Sequence, residues 1–138
     1  MQLRLETLPY QEAAVQSVVK VFEGTDKNTY ENATLQGIRS NVSGISPAQL
    51  AINIARVTAE NGIAPEVAKC DSDFELTIEM ETGTGKTLVY LKTIYELYKT
   101  YGFTKFIILV PSIAIRQGVL ASFKAFRKQL EDIYGISP

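Results

Sequence analysis

Apolar residues recur along this chain with two different periods. In "LPYQEAAVQSVVKVFEG", residues 8–24, Ala14, Val15, Val18, Val19 and Phe22 fall on one face of a 3.6-residue repeat. Pro9 suits the first turn of that helix and Gly24 ends it. A second helix is expected over "SPAQLAINIARVTAENG". Ser46 is a ready N-cap, Pro47 occupies the first helical position and Gln49 completes a capping box. Leu50, Ile54 and Val57 share its apolar side, and Gly62 stops it. We read this helix as packing only. The two are separated by a polar stretch, residues 24–45, that reads as a loop or a poorly ordered insertion. "QLRL" near the start alternates like a short strand.

The second half changes rhythm. "FELTIEM", residues 74–80, is rich in strand formers. "LVYLKTIYELYKTYG" returns to a helical period through Leu88, Leu91, Ile94, Tyr95 and Tyr98. "KFIILVP", residues 105–111, is short, apolar and β-branched, as a strand buried on both faces would be. "SIAIRQGVLASFKAFRKQL" closes with a helix that carries Gly118 at a cost of about 1 kcal/mol relative to alanine. Strand, helix, strand, helix in this order predicts an α/β fold with a short parallel sheet flanked by helices. The expected division is residues 1–23, an insertion with one helix over 24–73, and a βαβα unit over 74–138.

Chemistry concentrates between the first strand and its helix, in "ETGTGKT". Gly83 and Gly85 remove side chains and allow positive φ, so backbone N–H groups can wrap a phosphate. The helix beginning near Lys86 adds its own unpaired N–H groups and the positive end of its dipole. Thr82 and Thr84 complete the loop, Lys86 supplies a charge for the β and γ phosphates, and Thr87 offers a hydroxyl to Mg²⁺. The strict phosphate-loop pattern has glycine five residues before Gly85, where this chain has Met80. That position ends the strand, so its side chain is expected to face the core and not to decide phosphate binding. Glu79 and Glu81 would lie on one strand face beside an anionic ligand, and we assign them no catalytic role.

Composition narrows the remaining classes. The chain has 138 residues, 46% hydrophobic, with a net charge of −1. One ordinary domain, or a piece of a larger one, fits this length. The near-neutral charge argues against a DNA-coating protein but leaves room for a local basic groove. With no histidine and one cysteine, Cys70, disulfides, zinc sites and His-dependent triads are excluded within the chain. No segment has the form of a signal peptide or membrane span, so a cytoplasmic setting and no membrane partner are expected.

The string "IEMETGTGKT", with "LPYQEAAVQSVVKVF" before it and "KFIILVPSIAIRQGV" after it, resembles the restriction (Res) subunit of type III restriction–modification enzymes. The three blocks resemble the Q-motif, motif I and motif Ia of superfamily-two helicases and DNA translocases. The resemblance implies a partial RecA-like P-loop domain that binds ATP and Mg²⁺, with Lys86 as the catalytic loop lysine. It implies that Gln11 reads the adenine edge through both ends of its amide. From the residues alone, the plainer alternative for Gln11 is an exposed first-turn polar side chain, and Tyr10 could equally line the base pocket or pack on the core. Ser112 and Arg116, in the motif Ia turn, are implied to touch the DNA backbone. The plain alternative is an N-cap and a solvated cation. Lys124, Arg127 and Lys128 read as a solvated helix face.

The family's later motifs do not follow. Glu131 and Asp132 are acidic neighbours, but they do not end a buried strand and are rejected as a metal-binding pair. The expectation is an N-terminal part of an ATP-dependent DNA translocase and endonuclease, partnered by DNA and by the DNA methyltransferase (Mod) subunit of the same system. By itself the chain is expected to bind nucleotide weakly, to hydrolyse almost none and to self-associate. Another superfamily-two DNA or RNA helicase, or a non-catalytic nucleotide-binding or interaction module, are the alternatives.

Overall fold

The computed structural model describes residues 6, 8–29, 31–35, 37–64 and 75–136. The expected strand "QLRL" and Phe74 lie outside them. The elements, in chain order, are α1 (Pro9–Val21), β1 (Thr34–Leu35), β2 (Ile38–Arg39), α2 (Pro47–Glu60), α3 (Lys86–Tyr101) and α4 (Ile113–Tyr134).

Helix α1 is the centre of the packing. Val15 and Val19 are buried against Val89, Leu97, Tyr101 and Phe103, with Ala14, Val18, Phe22, Met80 and Phe106 closing around them. This is the apolar face that the sequence periodicity marks, and Met80 does turn inward. Each fully buried valine or leucine here contributes on the order of 1.5–3 kcal/mol. Val21, on the other side of α1, meets Ile54 and Val57 of α2. Helix α3 has two buried faces. One meets α1, and the other sets Leu91 and Tyr95 against Leu130 and Tyr134 of α4.

The α1–α2 contact is fixed by a polar pin as well as by apolar burial. Asn53 of α2 donates to Val21 O at 3.0 Å and to Glu23 O at 2.8 Å, satisfying carbonyls that the end of α1 leaves open. Its own oxygen accepts from Gln49 Nε2 at 3.0 Å. The expected capping box of α2 is therefore only half formed. Ser46 Oγ accepts from Gln49 N at 3.1 Å, but the Gln49 side chain is spent on Asn53 instead of turning back. Lys20–Glu60 at 2.6 Å and Arg56–Glu23 are ion pairs across the same contact. Both are exposed and add little to stability.

The stretch read from sequence as a loose insertion is laced to the rest by asparagines. Asn28 N donates to Tyr101 O at 2.8 Å. Its carboxamide exchanges two bonds with Val42, at 2.7 and 2.8 Å. Asn41 accepts from Thr104 N and Lys105 N and donates to Lys105 O. A buried or half-buried backbone needs partners, and here side-chain amides supply them where no strand does.

The parallel sheet is not evident. Among the described residues the sole ladder is the antiparallel pair β1–β2, with Thr34 opposite Arg39 and Leu35 opposite Ile38. Residues 75–80 and 105–111 join no ladder. Both read as strands, and 105–111 as one buried on both faces because of its apolar, β-branched content, yet Ile107 and Leu109 are 87% and 89% exposed. A strand assignment requires a hydrogen-bonded neighbour, and neither segment has one among the described residues. Helix α4 runs past the expected end and takes in Glu131 and Asp132, consistent with their rejection as a metal-binding pair.

Two glycine substitutions should act in opposite directions. Gly102 ends α3 at φ +67°, and a Cβ there would sit 2.4 Å from Asn28 O. Gly102→Ala should destabilise the chain by more than the roughly 1–2 kcal/mol of left-handed strain alone. Gly118 is mid-helix with nothing within 4 Å of a Cβ. Gly118→Ala should stabilise by about 1 kcal/mol. Urea denaturation of both variants checks the two signs.

Burial also pushes the Tyr95, Tyr101 and Tyr134 hydroxyls above the ordinary tyrosine value. Tyr101 in addition donates to Val19 O at 2.8 Å. A raised folded-state pKa gives stability that is complete below the unfolded value and is lost as pH rises. Denaturation midpoints should therefore be insensitive to these groups at neutral pH and fall above about pH 10. Tyr101→Phe should reduce that alkaline slope.

Candidate nucleotide site

The loop between Met80 and α3 has the geometry that its glycines suggest. Gly83 has φ +80° and Gly85 has φ +88°, both in the left-handed region. Gly85 is the residue before α3 and provides no side-chain cap. The N–H groups of the first turn therefore keep their donors free for an anion. Thr84 turns back into the loop, its hydroxyl donating to Glu81 O at 2.6 Å.

Lys86 closes the loop on itself. Its ammonium donates to Met80 O at 2.6 Å and to Glu81 O at 3.0 Å. The charge is thus held across the mouth of the turn, next to the N-terminus of α3. Thr87 follows in the first helical turn, half-buried. Thr82 and Gly83 are exposed, and a Cβ at Gly83 would meet nothing within 4 Å.

Helix α1 holds this loop from the side. Gln11 Nε2 donates to Thr84 O at 2.9 Å, and Tyr10 Oη donates to the same oxygen at 3.1 Å. Gln11 is 4% exposed, so the reading of it as a solvated first-turn residue is overturned. Tyr10 is half-exposed and reaches the loop through its hydroxyl, so it is not a core residue. A Cβ on Gly85 would lie 2.5 Å from Gln11 Nε2. Glycine is favoured at 85 for its φ of +88°, and a Cβ there would also displace the movable end of Gln11. Sequence reasoning did not foresee the Tyr10 bond; its adjacency to Gln11 was the available signal.

The donor set fits a phosphate chain with a magnesium ion. Among the described residues no group of three or more acidic, cysteine or histidine side chains could hold a metal. Magnesium takes few protein ligands and completes its shell with phosphate and water, and the Thr87 hydroxyl would be one of those ligands. Glu79 and Glu81 have exposed side chains, and only the Glu81 carbonyl enters the loop's bonding.

The motif Ia pair is placed differently. Ser112 is the N-cap of α4, its hydroxyl accepting from Ile115 N at 3.3 Å. Arg116 is exposed in the first turn of that helix. Among the described residues no side-chain bond joins either of them to the phosphate loop. Lys124 and Lys128 are also exposed, and Arg127 pairs with Glu131 at 2.7 Å. A separate concavity of about 450 Å³ lies between the end of α1 and the start of α2, bordered by Glu23, Ser46, Gln49, Asn53 and Arg56. It shares no residue with the loop.

Comparison with known proteins identifies the family of the chain. Residues 4–136 match the family model described as type III restriction enzyme, res subunit. The chain is 35% identical over 132 residues to the Res subunit of the type III restriction–modification enzyme EcoP15I from Escherichia coli, covering 94% of this chain and 14% of that protein. It is 33% identical over 132 residues to the EcoPI Res subunit of Escherichia phage P1, with the same coverage. It is 30% identical over 123 residues to the StyLTI Res subunit of Salmonella typhimurium, covering 86% of this chain and 9% of that protein. The chain thus spans about one seventh of the length of the first two relatives. With nearly its whole length matched, this chain belongs to the family of type III restriction enzyme Res subunits.

Proposed function

We propose that this chain is the nucleotide-binding start of an ATP-driven DNA translocase and endonuclease subunit. Thr82, Gly83, Thr84, Gly85 and Lys86 would take the phosphates, Thr87 the Mg²⁺ ion and Gln11 the base. The observation that carries this reading is the loop itself. Two left-handed glycines precede an uncapped helix N-terminus, and a lysine lies across the turn. Bound Mg²⁺ would neutralise phosphate charge during phosphoryl transfer. The residues here would bind and orient the nucleotide, and the chain by itself would turn over almost none.

The fuller fold in this reading is RecA-like. Residues 75–80 and 105–111 would become neighbours in a parallel sheet completed by further polypeptide of such a subunit. Their exposed Leu76, Ile78, Ile107 and Leu109 support this, being residues that a sheet buries and solvent does not favour. Ser112 and Arg116 would then face the DNA backbone, and the DNA methyltransferase (Mod) subunit would supply site recognition. No helix among the described residues is long and apolar enough to cross a membrane, and the reading puts the chain with DNA in the cytoplasm.

Calorimetric titration with Mg·ATP tests the phosphate site. Lys86→Ala should weaken binding at least tenfold, the loss of a charge-assisted contact worth roughly 1.5–3 kcal/mol. Equal affinity of the variant would place the nucleotide elsewhere. Turnover by this chain comparable to that of an intact motor would overturn the division of labour.

Unpaired apolar segments also invite self-pairing. Sedimentation should show association of the chain that diminishes in an Ile107→Lys, Leu109→Lys double variant. A monomeric wild-type chain would count against a sheet-forming role for residues 105–111.

A further inference from the structure

Asn61 and Gly62 are the sole Asn–Gly pair of the sequence, and both are exposed at the C-terminal end of α2. The backbone nitrogen after an asparagine can attack the side-chain amide carbon and close a five-membered imide. A side chain on the following residue hinders that approach, and glycine has none. The asparagines at 28, 32, 41 and 53 are followed by Thr29, Ala33, Val42 and Ile54. A Cβ at Gly62 would meet nothing within 4 Å, so the space around its nitrogen is open. The folded end of α2 nevertheless holds both reacting groups. Gly62 N, the nucleophile, donates to Ala59 O at 3.0 Å. Asn61 Nδ2, the leaving group, donates to Val57 O at 2.7 Å and to Ser17 Oγ of α1 at 3.1 Å. Asn61 is thereby part of the α1–α2 contact.

We propose that Asn61–Gly62 is a self-modification site, closed while the last turn of α2 is formed and open when that turn frays. Helix ends open locally at far lower cost than a packed core. In the opened turn Gly62 N bonds to Asn61 Cγ and the Cγ–Nδ2 bond breaks. The proton lost from Gly62 N leaves with Nδ2 as ammonia. Water then adds to either imide carbonyl, giving aspartate at 61 or an isoaspartyl linkage, with no change of oxidation state. The product cannot rebuild the turn. A carboxylate has no hydrogen to offer Val57 O. Ser17 Oγ already donates to Ala13 O, so it has none to return. The new negative charge stands at the C-terminal end of a helix, where the dipole disfavours it. An isoaspartyl linkage also lengthens the backbone between 61 and 62, displacing Gly62 N from Ala59 O and Ile63 N from Thr58 O. The modification is therefore one-way, and it loosens the hold of α2 on α1.

Incubation of the folded chain in mildly alkaline buffer, followed by tryptic peptide mapping, tests this. The peptide of residues 57–69 contains no asparagine but Asn61. It should gain the mass of an amide-to-acid conversion and split into aspartyl and isoaspartyl forms before any other asparagine-containing peptide changes. Ser17→Ala, which frees the leaving amide from α1, should speed conversion roughly fivefold, the factor for one ordinary hydrogen bond. The chain unfolded in urea should convert faster still. Asn61→Asp should unfold at lower urea concentration than the wild type and lose amide protection at residues 61–63. Earlier conversion at Asn32 or Asn41, the other exposed asparagines, would overturn the site. Equal rates in the wild type, in Ser17→Ala and in urea would overturn the gating by the turn. An Asn61→Asp variant with the stability and protection of the wild type would overturn the loosening.

Discussion

One carbonyl oxygen, that of Thr84, ties the glycine loop before α3 to the start of α1. It receives Gln11 and Tyr10 of α1 across more than seventy residues of sequence. Everything upstream serves to aim those two donors. Val15 and Val19 set the roll of α1 against α3, and Met80 closes the same cluster from the loop side. Asn53, bonded to the last carbonyls of α1, fixes its far end. Downstream, the tie holds the loop where Gly85, at φ +88°, hands the backbone to α3. The helix N-terminus and the lysine bridge then lie at one turn of the chain. A site of this kind is made of donors, and donors are useful to an anion only if the backbone carrying them is held still.

Much of this is legible in the amino-acid sequence. The apolar faces of α1 and α2 follow the 3.6-residue repeat, and Gly62 follows the end of α2 with a left-handed φ; on α3 only Leu91 and Tyr95 of the expected set are buried, and the face toward α1, with Val89, Leu97 and Tyr101, lay outside it. "TGTGKT" gave the loop by its spacing. What the sequence could not display is competition among polar side chains. Gln49 had a local use in capping α2, where its side-chain oxygen would accept from Ser46 N–H; instead its Nε2 donates to the Asn53 oxygen, a buried acceptor that needs a donor. The asparagines at 28 and 41 looked like loop filler. They act as substitutes for strand pairing because their amides match the donor and acceptor spacing of a peptide group. Gln11 could be read from sequence as exposed or as functional; only its burial against Gly85 separates the two.

The segments at 75–80 and 105–111 carry a different lesson. The first is rich in strand formers, and the second has the composition of a strand buried on both faces. The surroundings here do not provide that burial, and the apolar side chains at 107 and 109 face solvent. Local propensity and tertiary context disagree at this one place, while they agree around α1. The insertion answers part of the deficit. Asn41 satisfies the backbone of Thr104 and Lys105, where the second of these segments begins. The approach to the motif Ia turn is thereby anchored even though the stretch beyond it joins no ladder.

The central claim is that the loop from Gly83 to Thr87 is the phosphate cradle and that α1 holds it in place. Backbone and side-chain amide resonances followed by nuclear magnetic resonance during addition of Mg·ATP examine both halves at once. The account predicts that the amides of Gly83, Gly85, Lys86 and Thr87 shift together and saturably, while the Gln11 side-chain amide stays hydrogen-bonded to the loop. Shifts confined to the concavity around Asn53 and Arg56, or a Gln11 amide released to solvent as the ligand binds, would contradict it.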